Sequence, residues 1–123
     1  MTRLQTIIAV KDVVKSSEWY RELFGFRSNH GGTTFEMLAN SDNSIVLCLH
    51  ALEQHGHPTM KDDGNEKGNG LILYFRVDDL ETTWQNALQL QAVIESEPRL
   101  NPNSGEREFA LRDPDNYFLL VSL

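Results

Sequence analysis

The segment Val10–Phe26, VKDVVKSSEWYRELFGF, decides how this chain folds. An apolar run ends at Val10, Asp12 marks a turn, and Ser16 and Ser17 bring capping chemistry near the start of a helix. Trp19, Tyr20, Leu23 and Phe24 follow at the i, i+1, i+4, i+5 spacing of a buried helical stripe, and Gly25 comes after it. The same order returns later. Val77 follows Val10 at the interval that separates Asp79 from Asp12, Thr83 from Ser16 and Leu90 from Leu23, 67 residues in each case. One such match would be chance, whereas several in register mean that one supersecondary unit is used twice.

Each unit therefore opens with a strand, Leu4–Val10 or Leu71–Val77, and continues into a helix of about a dozen residues. In the second helix Asp79 is the cap, and Leu80, Trp84, Ala87, Leu88 and Gln91 make the apolar-side spacing. Short strands follow at Phe26–Asn29, Thr34–Leu38 and Ile45–His50, then at Gln91–Ile94, Glu106–Arg112 and Tyr117–Leu123, with the Pro98–Pro102 region after the second helix. Asp113-Pro114-Asp115-Asn116 is a tight-turn signal, because proline fixes φ and asparagine tolerates the left-handed region. Each half reads β-α-β-β-β. The joint between them is Lys61–Gly70, KDDGNEKGNG, which has no hydrophobic residue in it. The expected organisation is one α+β domain over residues 2–123, with module one at about 2–58, a linker at 61–70 and module two at about 71–123.

Composition bounds the function. The chain has 123 residues, is 40% hydrophobic and 24% charged, and carries a net charge of −7. That balance argues against nucleic acid and anionic membranes as partners, since both demand clustered cations. No apolar run is long enough to span a bilayer, and Met1–Lys11 does not read as a secretory signal. Cys48 is the sole cysteine, which excludes an internal disulfide and points to a cytoplasmic setting.

The string Val10-x-Asp12-x-x-x-Ser16-x-x-Trp19-Tyr20-x-x-x-Phe24-Gly25-Phe26, with Asp113-Pro114-Asp115-Asn116 near the end, resembles the vicinal oxygen chelate superfamily. That group includes glyoxalase I, the bleomycin-resistance proteins and the extradiol dioxygenases. The resemblance covers roughly residues 2–123. It implies two βαβββ modules forming a curled mixed sheet with a central cup, and a homodimer in which modules pair within or between chains. In metal-using members, four strand residues, two from each module, hold one divalent ion. The positions matching that motif are Gln5, Ile72, Leu120 and either Leu47 or, one register on, Cys48. Isoleucine and leucine offer no oxygen or nitrogen donor, and Gln5 alone holds no metal. The expectation is a chain with no metal and no cofactor at the usual position.

Strand alternation gives a second reading. In the opening strand Thr6, Ile8 and Val10 make the core side, against Gln5, Ile7 and Ala9. In module two Leu73, Phe75 and Val77, with Phe109, Leu111, Tyr117, Leu119 and Val121, make the core side. Ile72, Tyr74, Arg76, Glu108, Ala110, Arg112, Phe118, Leu120 and Ser122 lie opposite. An apolar face with a few convergent polar groups is the usual make-up of a small-molecule site. Arg76 and Arg112 could fork onto a ligand carboxylate or phosphate, or simply pair with Glu108 or another acid.

His50 extends a strand and stands at the rim of that face, whereas His55 and His57 fall in a loop ended by Pro58. Grouped imidazoles bind zinc or nickel or act as an acid–base, but solvated loop histidines are the simpler reading. Trp19 and Trp84 sit at core spacing, and Cys48 in its apolar strand reads as an inert thiol. The resulting expectation is a metal-free small-molecule binder with no assigned catalytic residue. Its ligand face comprises Gln5, Cys48, His50, Ile72, Tyr74, Arg76, Glu108, Arg112 and Leu120. The alternative is a lyase or dioxygenase-type enzyme of the same superfamily using non-standard metal or acid–base residues such as His50, Glu108 and Tyr74. The two candidate arginines argue against a cationic drug as the ligand.

Overall fold

A computed structural model describes residues 1–123, which divide into two compact units, Met1–Asn65 and Glu66–Leu123. The division falls inside the charged stretch 61–70. Each unit has one helix and four strands, so the class is α+β.

The first unit contains β1 (Ile7–Val10), α1 (Val13–Phe24), β2 (Arg27–Ser28), β3 (Phe35–Ala39) and β4 (Ile45–Ala51). Its sheet runs in the order β1-β4-β3-β2, with β1 and β4 parallel and the other pairs antiparallel. The second unit contains β5 (Ile72–Arg76), α2 (Leu80–Gln89), β6 (Val93–Leu100), β7 (Arg107–Arg112) and β8 (Phe118–Ser122). Its order, β5-β8-β7-β6, has the same mixed pattern, with β5 and β8 parallel. The repeated sequence thus makes a repeated topology. Crossover through a helix is what lets the first strand of each unit lie parallel to its last.

Local chemistry explains the helix ends. The Asp12 carboxylate accepts from the Lys15 N–H at 3.0 Å, and Asp79 does the same for Thr82 at 3.0 Å. Gly25 closes α1 at φ 76°, where its N–H donates to the Arg21 carbonyl at 2.8 Å. Ser16 and Ser17 therefore do not cap α1. They lie one turn inside it and are buried, because Asp12 already satisfies the first orphan donor. In α2 the buried positions are Leu80, Thr83 and Ala87; Leu88 is exposed and Gln91 lies beyond the helix at φ 53°.

Strand alternation sorts the two faces of each sheet. In the first, Ile8, Val10, Leu38 and Leu49 are buried on one side, and their neighbours Ile7, Ala9, Met37, Cys48 and His50 occupy the other. In the second, Leu73, Phe75, Phe109, Leu111, Leu119 and Val121 form the buried side, with Trp84 of α2 edge-on to Phe109 at 5.1 Å. Trp19 and Trp84 are half-buried at the margins of these cores.

β6 runs on through Pro98, past the end expected at Ile94. Proline is tolerated there because β6 is an edge strand, where a missing N–H breaks no ladder that a central strand would need. Its register against β7 shifts between Ile94 and Ser96 and again between Ser96 and Arg99. The Asp113–Asn116 turn forms as the sequence predicts. The Asp113 carboxylate accepts from the N–H groups of Asp115 at 2.9 Å and Tyr117 at 2.8 Å, and Asn116 takes φ 71°.

Candidate functional site

The open face of the second sheet is built by three neighbouring strands. β5 contributes Ile72, Tyr74 and Arg76; β8 contributes Phe118, Leu120 and Ser122; β7 contributes Glu108, Ala110 and Arg112. Register places Tyr74 beside Leu120 and Leu120 beside Ala110, so the middle of the face is apolar. Ile72 is 59% exposed and Tyr74 45%, although both belong to strands whose other side is core. Polar groups surround this middle. The Tyr74 hydroxyl lies 3.0 Å from the Ser122 hydroxyl. Arg76 donates through Nη1 to the main-chain oxygen of Leu123 at 3.1 Å and stands 5.5 Å from the Tyr74 ring. Arg112 donates through Nε to Glu95 at 2.9 Å and through Nη1 to the Asn116 carbonyl at 3.1 Å, with its guanidinium 5.0 Å over Phe118.

Glu108 does not pair with either arginine; its carboxylate accepts from the Asn101 side chain at 2.8 Å. Arg112 finds its acid on β6 instead, at Glu95. Sequence reading missed Glu95, Phe118 and Ser122 as partners. The extra length of β6, which carries Glu95 alongside β7, was the unread signal.

In the first sheet, Cys48 and His50 lie on the face with Ile7 and Ala9, and Leu47 lies on the opposite, core face. Of the two alternatives for the fourth motif position, Cys48 is therefore the one on the open side. Burial pushes its thiol pKa up, and the negative charge of Glu36 adds to the effect. Gln5 is exposed and precedes β1 rather than lying in it. The divalent ion used by metal-dependent vicinal oxygen chelate proteins does not fit these residues. Ile72 and Leu120 present only carbon, Cys48 is held as a thiol, and Gln5 is a single neutral donor.

A different group of donors does come together. His50 is buried at 4% exposure, and its Nε2 lies 3.2 Å from Nδ1 of His55. The His57 ring centroid is 5.0 Å from that of His50. The spacing of these residues in sequence did not require this. The loop achieves it by turning back on itself, with Glu53 N–H donating to the Met60 carbonyl at 2.6 Å and Met60 N–H to the His57 carbonyl at 3.1 Å. His30 is not part of the group; its Nδ1 contacts the Gly31 carbonyl at 2.7 Å.

The second unit also has a cleft of about 380 Å³ at the start of α2, lined by Asp78, Asp79, Glu81, Pro98 and Arg107 among others. None of the expected ligand-face residues borders it.

Residues 3–121 match the model of the Glyoxalase/Bleomycin resistance protein/Dioxygenase superfamily. The chain belongs to that superfamily. Solved structures with the same fold include TioX from Micromonospora sp. ML1, at 16% identity and a TM-score of 0.74, covering 99% of this chain and 98% of that one. A hypothetical protein, SA1046 from S. aureus, aligns with a TM-score of 0.79 at 14% identity, covering 100% and 94% of the two chains. A glyoxalase/bleomycin resistance protein/dioxygenase family enzyme from Burkholderia phytofirmans PsJN gives 0.78 at 20% identity, covering 96% and 94%. At these identities the likeness is one of fold. No curated protein matches the sequence.

Proposed function

We propose that the chain is a small-molecule-binding protein of the glyoxalase/bleomycin-resistance type, taking its ligand without a metal at the position the superfamily uses. The observation that carries this reading is the open face of the second sheet. A sheet face that keeps Ile72 and Tyr74 exposed, with polar groups at its margins, has the composition of a ligand surface. Tyr74, Phe118 and Leu120 would pack an apolar ligand body. Arg76 and Arg112 would meet a carboxylate or phosphate on it, since planar guanidinium groups recognise both in a fork. In the first unit, taken by itself, Gln5, Cys48 and His50 are also proposed as ligand-binding residues.

The protein is proposed to work as a cytoplasmic homodimer, a state that sedimentation measures directly. No helix is long and apolar enough to cross a membrane. A second reading is an enzyme of the superfamily using non-standard groups, and the histidine group at the end of β4 is what favours it.

The test is a thermal-melting screen of the whole chain against apolar carboxylates and phosphate monoesters. A saturable rise in melting temperature with members of these classes supports the reading, because a ligand that binds only the folded state stabilises it by mass action. Stabilisation by amines alone, or by no compound in the panel, refutes it.

A further inference from the structure

We propose that His50, His55 and His57 form a binding site for one transition-metal ion of the zinc class, held by the loop that leaves β4. The proposal shares His50 with the ligand set above but rests on the first unit's own histidines, so either reading stands if the other fails.

The three residues offer ligand atoms that all lie within 4.8 Å of one another. The ring centroids are 5.0, 5.2 and 6.4 Å apart, each pair nearly perpendicular, as imidazoles directed at a common point would be. The 3.2 Å between His50 Nε2 and His55 Nδ1 is also the nitrogen–nitrogen separation on a tetrahedral zinc. Two zinc–nitrogen bonds of about 2.0–2.1 Å at the tetrahedral angle place the nitrogens about 3.3 Å apart.

The tautomer of His50 is already set for coordination. Its Nδ1 lies 2.7 Å from the Ala51 carbonyl, which can only accept, so Nδ1 carries the proton. The lone pair is then on Nε2, the atom that lies against Nδ1 of His55. A backbone carbonyl holding the remote ring nitrogen of a ligand is the recurrent outer-shell arrangement of histidine metal sites.

The loop is shaped to bring the other two rings in. Glu53, His55 and Gly56 have φ values of 64°, 61° and 65°. Two of these are non-glycine residues in the left-handed region, a conformation that costs energy and persists where surrounding contacts impose it. Those contacts are the Glu53 and Met60 main-chain bonds described above and the Glu53 carboxylate, which accepts from the Asp62 N–H at 2.5 Å. His50 is fixed and buried, while His55 and His57 are exposed and free to turn by the small amount closure needs.

Electrostatics agree. Between His50 and Met60 the only formally charged side chain is that of Glu53, an acid, so the loop itself brings no cation. Neutral imidazoles suit zinc, nickel and copper and leave magnesium and calcium unbound, since those ions take oxygen donors. Three protein ligands leave a fourth position for water or a ligand donor, the count found at catalytic rather than structural zinc centres.

A hydrogen bond from His55 to His50 would account for the shortest contact, but it leaves unexplained why His57 joins them. Metal titration separates these explanations. The full chain, freed of metal by a chelator and dialysed, is titrated with zinc ion alone in competition with a chromophoric chelator, and with cobalt(II) to read the coordination spectrum. His55→Ala and His57→Ala are the informative variants, because both side chains are exposed and their loss leaves the core intact; circular dichroism checks that they fold. The expected result is one zinc per chain and a tetrahedral cobalt spectrum. Affinity should fall in each variant by more than the roughly 10–100-fold that an outer-shell partner is worth. Weak zinc binding that is the same in wild type and both variants overturns the proposal, as does tight binding that survives in the double variant.

Discussion

The Arg112 guanidinium stands between two groups of different kinds, its Nε 2.9 Å from the Glu95 carboxylate and its plane 5.0 Å over the Phe118 ring. The ion pair is partly exposed, with the two side chains 30% and 42% accessible, so it contributes at most about 1 kcal/mol to stability. The aromatic contact orients the fork, and a ligand anion of the proposed kind would displace Glu95 at small cost. Removing Arg112 should therefore hurt binding far more than folding.

Arg112→Ala should weaken the affinity for a carboxylate or phosphate ligand about tenfold or more, the loss of a charged hydrogen bond of about 1.5–3 kcal/mol. Its unfolding free energy should change by about 1 kcal/mol or less. Calorimetric binding beside urea unfolding reads both quantities. An unchanged affinity removes Arg112 from the ligand face.

Glu36 governs acid stability. It is buried in β3 and accepts from the Ser28 hydroxyl at 2.6 Å, the Gly31 N–H at 2.9 Å and the His30 N–H at 3.1 Å, and from the Ser17 hydroxyl of α1 at 3.2 Å. Burial pushes its carboxyl pKa up, but these bonds together outweigh that and hold it below the ordinary 4.5. A lowered folded-state pKa gives stability that is present above 4.5 and disappears as pH falls through the folded value. Glu36→Gln should cost about 2 kcal/mol at pH 7 and flatten the acid limb of the stability curve. Urea midpoints measured from pH 7 down to about pH 3 test this. A variant whose acid limb parallels the wild type would show that other groups set it.

Gly68 tests how tightly the charged joint packs in the second unit. It has φ 79°, and a Cβ there would meet the Tyr117 ring at 2.5 Å. Gly68→Ala should destabilise by about 1–3 kcal/mol through the left-handed backbone and the clash together. Gly64, also at positive φ but with open space around it, is the control. Equal effects at the two positions would mean that backbone conformation alone matters.

Glyoxalase chemistry should be absent. Isomerisation of the methylglyoxal–glutathione hemithioacetal, assayed with and without added nickel or zinc, is expected at the background rate, because Ile72 and Leu120 give a metal no purchase at the usual position. Turnover above background would bring the enzyme reading to the front.

Much of this fold was written locally. Asp12, Asp79 and Asp113 act through neighbours two to four residues away, so the turns and one of the two helix caps were legible directly. The cap of α1 was not, because Ser16 and Ser17 have capping chemistry too, and only packing decides that Ser17 turns its hydroxyl to Glu36. The alternation of β5, β7 and β8 identified the open face of the second sheet, since a period of two survives without knowledge of partners. The Arg112–Glu95 pair was beyond local reading: 17 residues separate the partners, and β6 had been ended before its ladder was complete. The histidine group failed for a similar reason. Ring positions depend on left-handed residues at Glu53 and His55, where side-chain type alone does not announce a turn.

The proline in β6 has a consequence for self-association. An exposed edge strand is a template on which another chain can add, and such growth leads to aggregates. β6 carries Glu95, Glu97, Pro98 and Arg99 along that margin, charges and a missing donor that discourage strand addition. The same residue run that supplies the acid for Arg112 therefore also keeps the sheet finite. A dimer formed by continuing the second sheet past β6 is disfavoured by these residues.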